Sequence, residues 1–292
     1  MKKLPSNLRR QAGLTLIELS VVLLILIGLA GLMLPYVSGY LAKTHQTTNV
    51  ATTADLDLAI QRYQNLKWAL PNNLESLYDT TAAAIYSKLA NNAMLTADTT
   101  AADITQAKAA LALAGITTVY NNNNSTTDAT FQSTTGAAAA PTALIKLTGT
   151  TAADTFFGQI ATPSASAVKN QLMYAFGGDA NTYDTTCTNY WVLGIGTNNS
   201  MIPSVMQAAP VHFAGTAAGQ PATTYSRYLA VIATPVAYAG ASVAVDDVTG
   251  ATCNSESGNA ATFVGVAQIF PNFPAIVGLN GAQEYTAENM KN

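Results

Sequence analysis

The sequence predicts an α+β chain: a long N-terminal helix packed against an antiparallel β-sheet. Three observations predict it. Leu14 to Val37 is apolar apart from Thr15, Glu18, Ser20 and a few small residues. Further on, Leu56, Ile60, Tyr63, Leu66 and Leu70 recur at spacings of four, three, three and four, which places them on one face of a helix. After Pro141, the runs LIKL, YWVLGIG, RYLAVIATPVA and TFVGVAQIF are rich in β-branched and aromatic residues and are bounded by Gly, Asn, Pro or Ser, as strands are.

The first two observations join into one element. A helix from about Thr15 to Leu66 spans roughly 80 Å at 1.5 Å per residue, and Pro71 marks its stop because the residue before a proline avoids helical geometry. Asp55, Asp57, Gln61, Arg62 and Asn65 fall largely off the apolar stripe, so the stripe is read as a core face. The expected organisation is a leader over 1–13, a helix over 14–70 whose 14–37 part is the transmembrane or polymerisation segment, and a globular head over 71–292. Within the head, Leu74 to Leu95 carries helical signals in pieces, with Leu74, Leu77 and Tyr78, then Ile85, Leu89 and Ala90. Asp103 to Ala114 reads as a short helix closed by Gly115, a residue type common just past a helix end. ITTVY is a short β-rich run. The Asn- and Thr-rich segment over 121–141 has the composition of a surface loop or linker.

Composition narrows the function. Of 292 residues, 49% are apolar and only 10% charged, against about 25% charged in ordinary domains. Lys2, Lys3, Arg9 and Arg10 all precede the apolar run. With these four of the 13 basic residues removed, 9 face 16 acidic ones, a balance of −7. Such a chain lacks the clustered Lys and Arg that hold nucleic-acid phosphates, and no nucleic-acid partner is expected.

Glu18 is the residue that the apolar run does not explain. A charge at the centre of a bilayer costs roughly 2.5 to 3.5 kcal/mol on insertion scales, which makes an intramembrane carboxylate a candidate functional residue. A secretory signal peptide has a basic start, an apolar stretch of about 7 to 15 residues and a small-residue cleavage site; here the run from Leu19 to Leu34 is at or beyond that length, and no clean A-x-A follows. A plain membrane anchor needs about 20 apolar residues, which Leu14 to Val37 supplies without accounting for Glu18.

Gly13, Leu14, Thr15, Leu16, Ile17 and Glu18, set between a short basic leader and a long apolar run, resemble the class III signal of type IV pilins and type II secretion pseudopilins. The resemblance covers Lys2 to about Tyr40. It implies cleavage after Gly13 by a prepilin peptidase, N-methylation of Leu14, and a role in assembly for Glu18, whose carboxylate pairs in the family model with the terminal amine of a neighbouring subunit. Pro35 lies where pilins commonly have a helix-bending proline, and proline removes a backbone donor and clashes with the preceding turn. Leu14 departs from the commoner phenylalanine. The implied fold is a pilin-like head on the long helix. The implied partners are further copies in a helical filament, the prepilin peptidase and an inner-membrane assembly platform. The basic leader, with only Lys43 soon after the run, places the leader in the cytoplasm by the positive-inside tendency. The expected localisation is the inner membrane as precursor, then an extracellular or periplasmic filament.

Export also bears on Cys187 and Cys253, both in polar loops. An oxidising compartment favours a bond between them; two free thiols are the alternative. No catalytic constellation is found, so no enzyme activity and no cofactor is assigned. His45 and His212 show no metal-ligand spacing. GGDANTYD offers oxygen ligands at Asp179, Asn181 and Asp184 that suit calcium, but without EF-hand spacing a turn is the favoured reading. GIGTNNS resembles a glycine-rich loop without the rest of a phosphate-binding motif.

Overall fold

The computed structural model describes residues 15–79, 84–85, 89, 95–97, 101–122, 138–139, 145–147, 165–179, 181–211, 225, 227–236, 246, 248–250, 252–253, 258–269 and 276–281. Some side chains inside these elements, including 34–39 and 41–43, lie outside the description. Two compact units are distinguished, Met1–His45 and Gln46–Asn292.

Helix α1 runs over Thr15–Lys67, 53 residues, and passes through Pro35 without a break in helical assignment. It ends three residues short of the expected 70. Trp68 N–H donates to the Gln64 carbonyl at 2.7 Å, and Trp68 itself has φ +56°, the left-handed cap that closes many helices. The buried row in the second unit is Asn49, Thr53, Leu56, Ile60 and Tyr63. Its regular four-three-four-three spacing corrects the expected stripe at both ends. Two polar residues belong to it, and Leu66, 61% exposed, does not. Leu70 is buried only because the chain has turned back at Trp68, where its N–H donates to the Ala114 carbonyl at 2.6 Å.

The strands are β1 (Leu74–Asp79), β2 (Ala84–Ile85), β3 (Leu95–Ala97), β4 (Val119–Asn122), β5 (Ala138–Ala139), β6 (Ile145–Leu147), β7 (Thr188–Gly194), β8 (Leu229–Pro235), β9 (Thr262–Ile269) and β10 (Ile276–Gly278). Among the described residues they form one sheet in the order β10-β9-β8-β7-β1-β4-β5, with β2 paired to β1, β6 paired to β7 and β3 to β6. All pairs are antiparallel except β1 with β4, which is parallel. The four strand runs read after Pro141 correspond to β6, β7, β8 and β9. Leu74 to Leu95 is corrected from helical pieces to β1, β2 and β3. Leu74 and Leu77 belong to different buried clusters; residues an odd number apart on a strand point to opposite faces, and both faces are covered here.

Helix α2 is Ala101–Leu113 and helix α3 Ala165–Phe176. Gly115 closes α2 as expected. Its φ is +99°, its N–H donates to Ala112 at 3.1 Å, and Ile116 N–H donates to Leu111 at 2.8 Å, a Schellman arrangement that needs a residue tolerant of positive φ. One cluster joins Leu56, Ile60 and Tyr63 of α1 and Ala110 and Leu111 of α2 to Trp191, Leu193, Ile232 and Val266. The other joins Leu172 and Ala175 of α3 to Tyr190, Val192, Val231 and Ile269. The sheet is thus covered on both faces, which is why β7 and β8 read as almost unbroken apolar runs. The loop or linker expected over 121–141 lies mostly outside the described residues.

Candidate assembly segment

The N-terminal unit is defined by its exposed apolar surface. Ile17 is 71% exposed and Leu24 74%, and every large apolar residue from Ile17 to Met33 is exposed. A helix that is apolar all round is a buried element, and contiguous apolar exposure on this scale marks an interaction surface. Glu18 lies in the first turn of α1, where a carboxylate is favoured by the positive end of the helix dipole. Ser20, the other polar residue in this stretch, turns its hydroxyl inward to the Ile17 carbonyl at 2.9 Å. A Cβ added to Gly28 or Gly31 would meet nothing within 4 Å, so neither glycine is demanded by packing within the chain. Among the described residues no helix is long and apolar enough to cross a membrane. Within the expected 14–37 span, the side chains of 14–16 and 34–37 lie outside the description. Gly13 and Leu14, the expected cleavage and methylation positions, lie outside the described residues.

Cys187 and Cys253 form a disulfide with S–S 1.96 Å and Cα–Cα 4.9 Å, joining residues 66 apart in sequence. GGDANTYD is a pair of turns. Asp179 Oδ1 accepts from Asn181 N–H at 2.9 Å and the Thr182 hydroxyl at 3.1 Å. The two oxygens of Asp184 accept from Thr186 N–H and Cys187 N–H, both at 2.9 Å, and from the Thr188 hydroxyl at 3.0 Å. These carboxylates organise the approach to β7 and the disulfide. His45 lies on α1 and His212 outside the described residues. Among the described residues no group of His, Cys, Asp or Glu is assembled that would hold a metal ion.

Two carboxyls, one half-buried and one buried, were not singled out from the sequence. Asp57, expected off the core face, accepts a hydrogen bond from Val266 N–H at 2.8 Å. That bond lies beside the β-bulge where the β8–β9 register shifts. Burial pushes the Asp57 carboxyl up to about 6, against the lowering effect of the Val266 bond. Glu75 on β1 is 1% exposed and accepts from the Tyr225 hydroxyl at 2.7 Å. Burial pushes it up to about 7, opposed by the Tyr225 bond and the charge of Arg227. The glycines of GIGTNNS make room for this group. A Cβ at Gly196 would overlap the Glu75 carboxyl and one at Gly194 the Tyr225 hydroxyl. A run that resembles a phosphate-binding loop is therefore the wall of a buried acid.

The fold and this segment define a class: an α+β chain with a disulfide, built on a long helix whose described side chains from Ile17 to Met33 are apolar or small apart from Glu18 and Ser20. No family model, curated protein or solved structure matches the chain.

Proposed function

We propose that the chain is a structural subunit of a type IV pilus or pilus-like filament that assembles through the first half of α1. The observation that carries this reading is the apolar, exposed helix from Ile17 to Met33 with Glu18 in its first turn, following a glycine at position 13 and a basic leader. Before assembly the 14–37 segment is held in the inner membrane; afterwards its apolar surface is covered by other copies.

In this reading, cleavage after Gly13 frees a charged amine on Leu14 at a helix start that already carries partial positive charge. Glu18 of a neighbouring copy pairs with it in an apolar bundle. Removing one partner of a buried pair costs about 3 to 5 kcal/mol because the other charge is left uncompensated. The pair sets register, while Leu and Ile packing supplies most of the association energy. Glu18→Ala is accordingly expected to be cleaved normally but to give little filament in the sheared surface fraction. Wild-type filament yield from that variant would remove the assigned role of Glu18. The large head admits a minor, tip-located subunit, and the same features support a type II secretion pseudopilin, in which case the filament is periplasmic.

A further inference from the structure

The buried carboxyl of Glu75 has no part in assembly, and the fold treats its two oxygens differently. Oε2 accepts from the Tyr225 hydroxyl at 2.7 Å, while Oε1 has no hydrogen-bond donor. A buried carboxylate needs donors on both oxygens, because each unmet position keeps its desolvation cost. With one donor, the neutral acid is the form that suits the site. The wall against Oε1 is backbone, since a Cβ added to Gly196 would overlap that oxygen.

The ionisable groups that act on Glu75 are Tyr225, through its hydroxyl, and Arg227, through its charge; both are buried. The register partner of Glu75 on β7 is Gly194, which brings no side chain, and on β4 it is Tyr120, whose side chain lies outside the description. The two sides of the cover are held differently. Strand β7 is laddered to β8 along its whole length. Tyr225 and Arg227 are each held by a single bridge, Tyr225 to Leu89 and Arg227 to Val211. Regular pairing resumes at Leu229, and just before it the Tyr228 carbonyl accepts from Ile195 N–H at 2.8 Å. Backbone held by isolated bridges opens at a lower free energy than a core ladder.

We propose that Tyr225 and Arg227 are a pH-gated cover on Glu75, seated while the carboxyl is neutral and released, with Tyr228 as the fixed point, once it ionises. Release wets Glu75 and puts a phenol and a guanidinium on the surface of a head that carries few charges. Burial outweighs the charge of Arg227 and pushes the seated carboxyl up to about 7, whereas a wetted one has the ordinary value of 4.5. Between these values the seated form holds a proton that the released form lacks. The opening constant therefore rises with pH, roughly 30-fold from pH 5.5 to pH 8. The gate works within one copy and does not depend on assembly.

Hydrogen exchange of the full-length chain in detergent micelles, followed by mass spectrometry and corrected for intrinsic exchange, tests it. The opening constant of the peptide carrying Tyr225 and Arg227 is expected to be roughly 30-fold larger at pH 8 than at pH 5.5. At both pH values that peptide is expected to exchange faster than the amides of β8. Glu75→Gln keeps the shape of the side chain and cannot ionise, so it is expected to cut the rise to about threefold or less. An equal rise in the variant overturns the gate. Wild-type exchange that does not change with pH, or that matches β8 at both pH values and so reports global unfolding, overturns it as well. These last two outcomes need no variant, so a Glu75→Gln chain that fails to fold leaves the test intact.

Discussion

Asp57 and Glu75 are the residues whose chemistry depends most on the fold. Each is a carboxyl that burial has raised, to about 6 and about 7 from ordinary values of 3.8 and 4.5. The sign of the consequence follows from proton linkage. Between pH of about 4 and 7 the folded chain holds protons that the unfolded chain has released, so these groups make stability fall as pH rises through that window. Each accounts for a change on the order of 2 to 3 kcal/mol. The head is therefore expected to unfold at higher denaturant at pH 5 than at pH 7.5, and Glu75→Gln to raise the midpoint at pH 7.5 while flattening the profile. A profile unchanged by Glu75→Gln, measured by denaturant titration at several pH values, would contradict this account of the site. None of it was legible in the sequence. Asp57 sits among polar residues that read as a solvated face, and Glu75 lies in a segment whose leucine spacing reads as helical. Only the long-range approach of Tyr225 and Arg227 to Glu75, and of β9 to the half-buried Asp57, sets these acids apart.

Among the elements, legibility followed the length of the pattern. The four strand runs after Pro141 and the helix ending at Gly115 were readable because each has its own composition and its own stop. Helix α3 gave little signal, since the face it buries is Gln171, Leu172 and Ala175, one leucine between a polar and a small residue. In β1, Leu74 and Leu77 stand three apart, which suits one face of a helix as well as two faces of a strand buried on both sides. The buried stripe of α1 was carried too far because Leu66 continues it by spacing alone, whereas the buried row ends at Tyr63 and Lys67, the next position in phase, is exposed. That correction has a measurable consequence. Ile60, 1% exposed, is expected to lose about 2 to 5 kcal/mol on mutation to Ala, while Leu66→Ala should change the unfolding free energy by about 0.5 kcal/mol or less. Comparable losses at the two positions would mean that the helix face is wrongly phased.

For the molecule as a whole, the coarse architecture was readable: a long helix, then a mixed head with a largely antiparallel sheet. What composition did not reveal was that the sheet is covered on both faces and that one of its pairs, β1 with β4, is parallel. The disulfide expected from export is present between Cys187 and Cys253, where Asp184 shapes the loop that delivers Cys187 to the start of β7. The candidate segment is read from the sequence alone because it is local: glycine, apolar run and carboxylate are adjacent in sequence. The central claim, that this segment is a processed assembly stem, is tested most directly by mass spectrometry of the chain's N-terminal peptide in the sheared surface fraction. The account predicts chains that begin at Leu14 and carry one methyl group on the terminal amine. Chains beginning at Met1 or at another residue, or chains confined to the membrane and missing from that fraction, would contradict it.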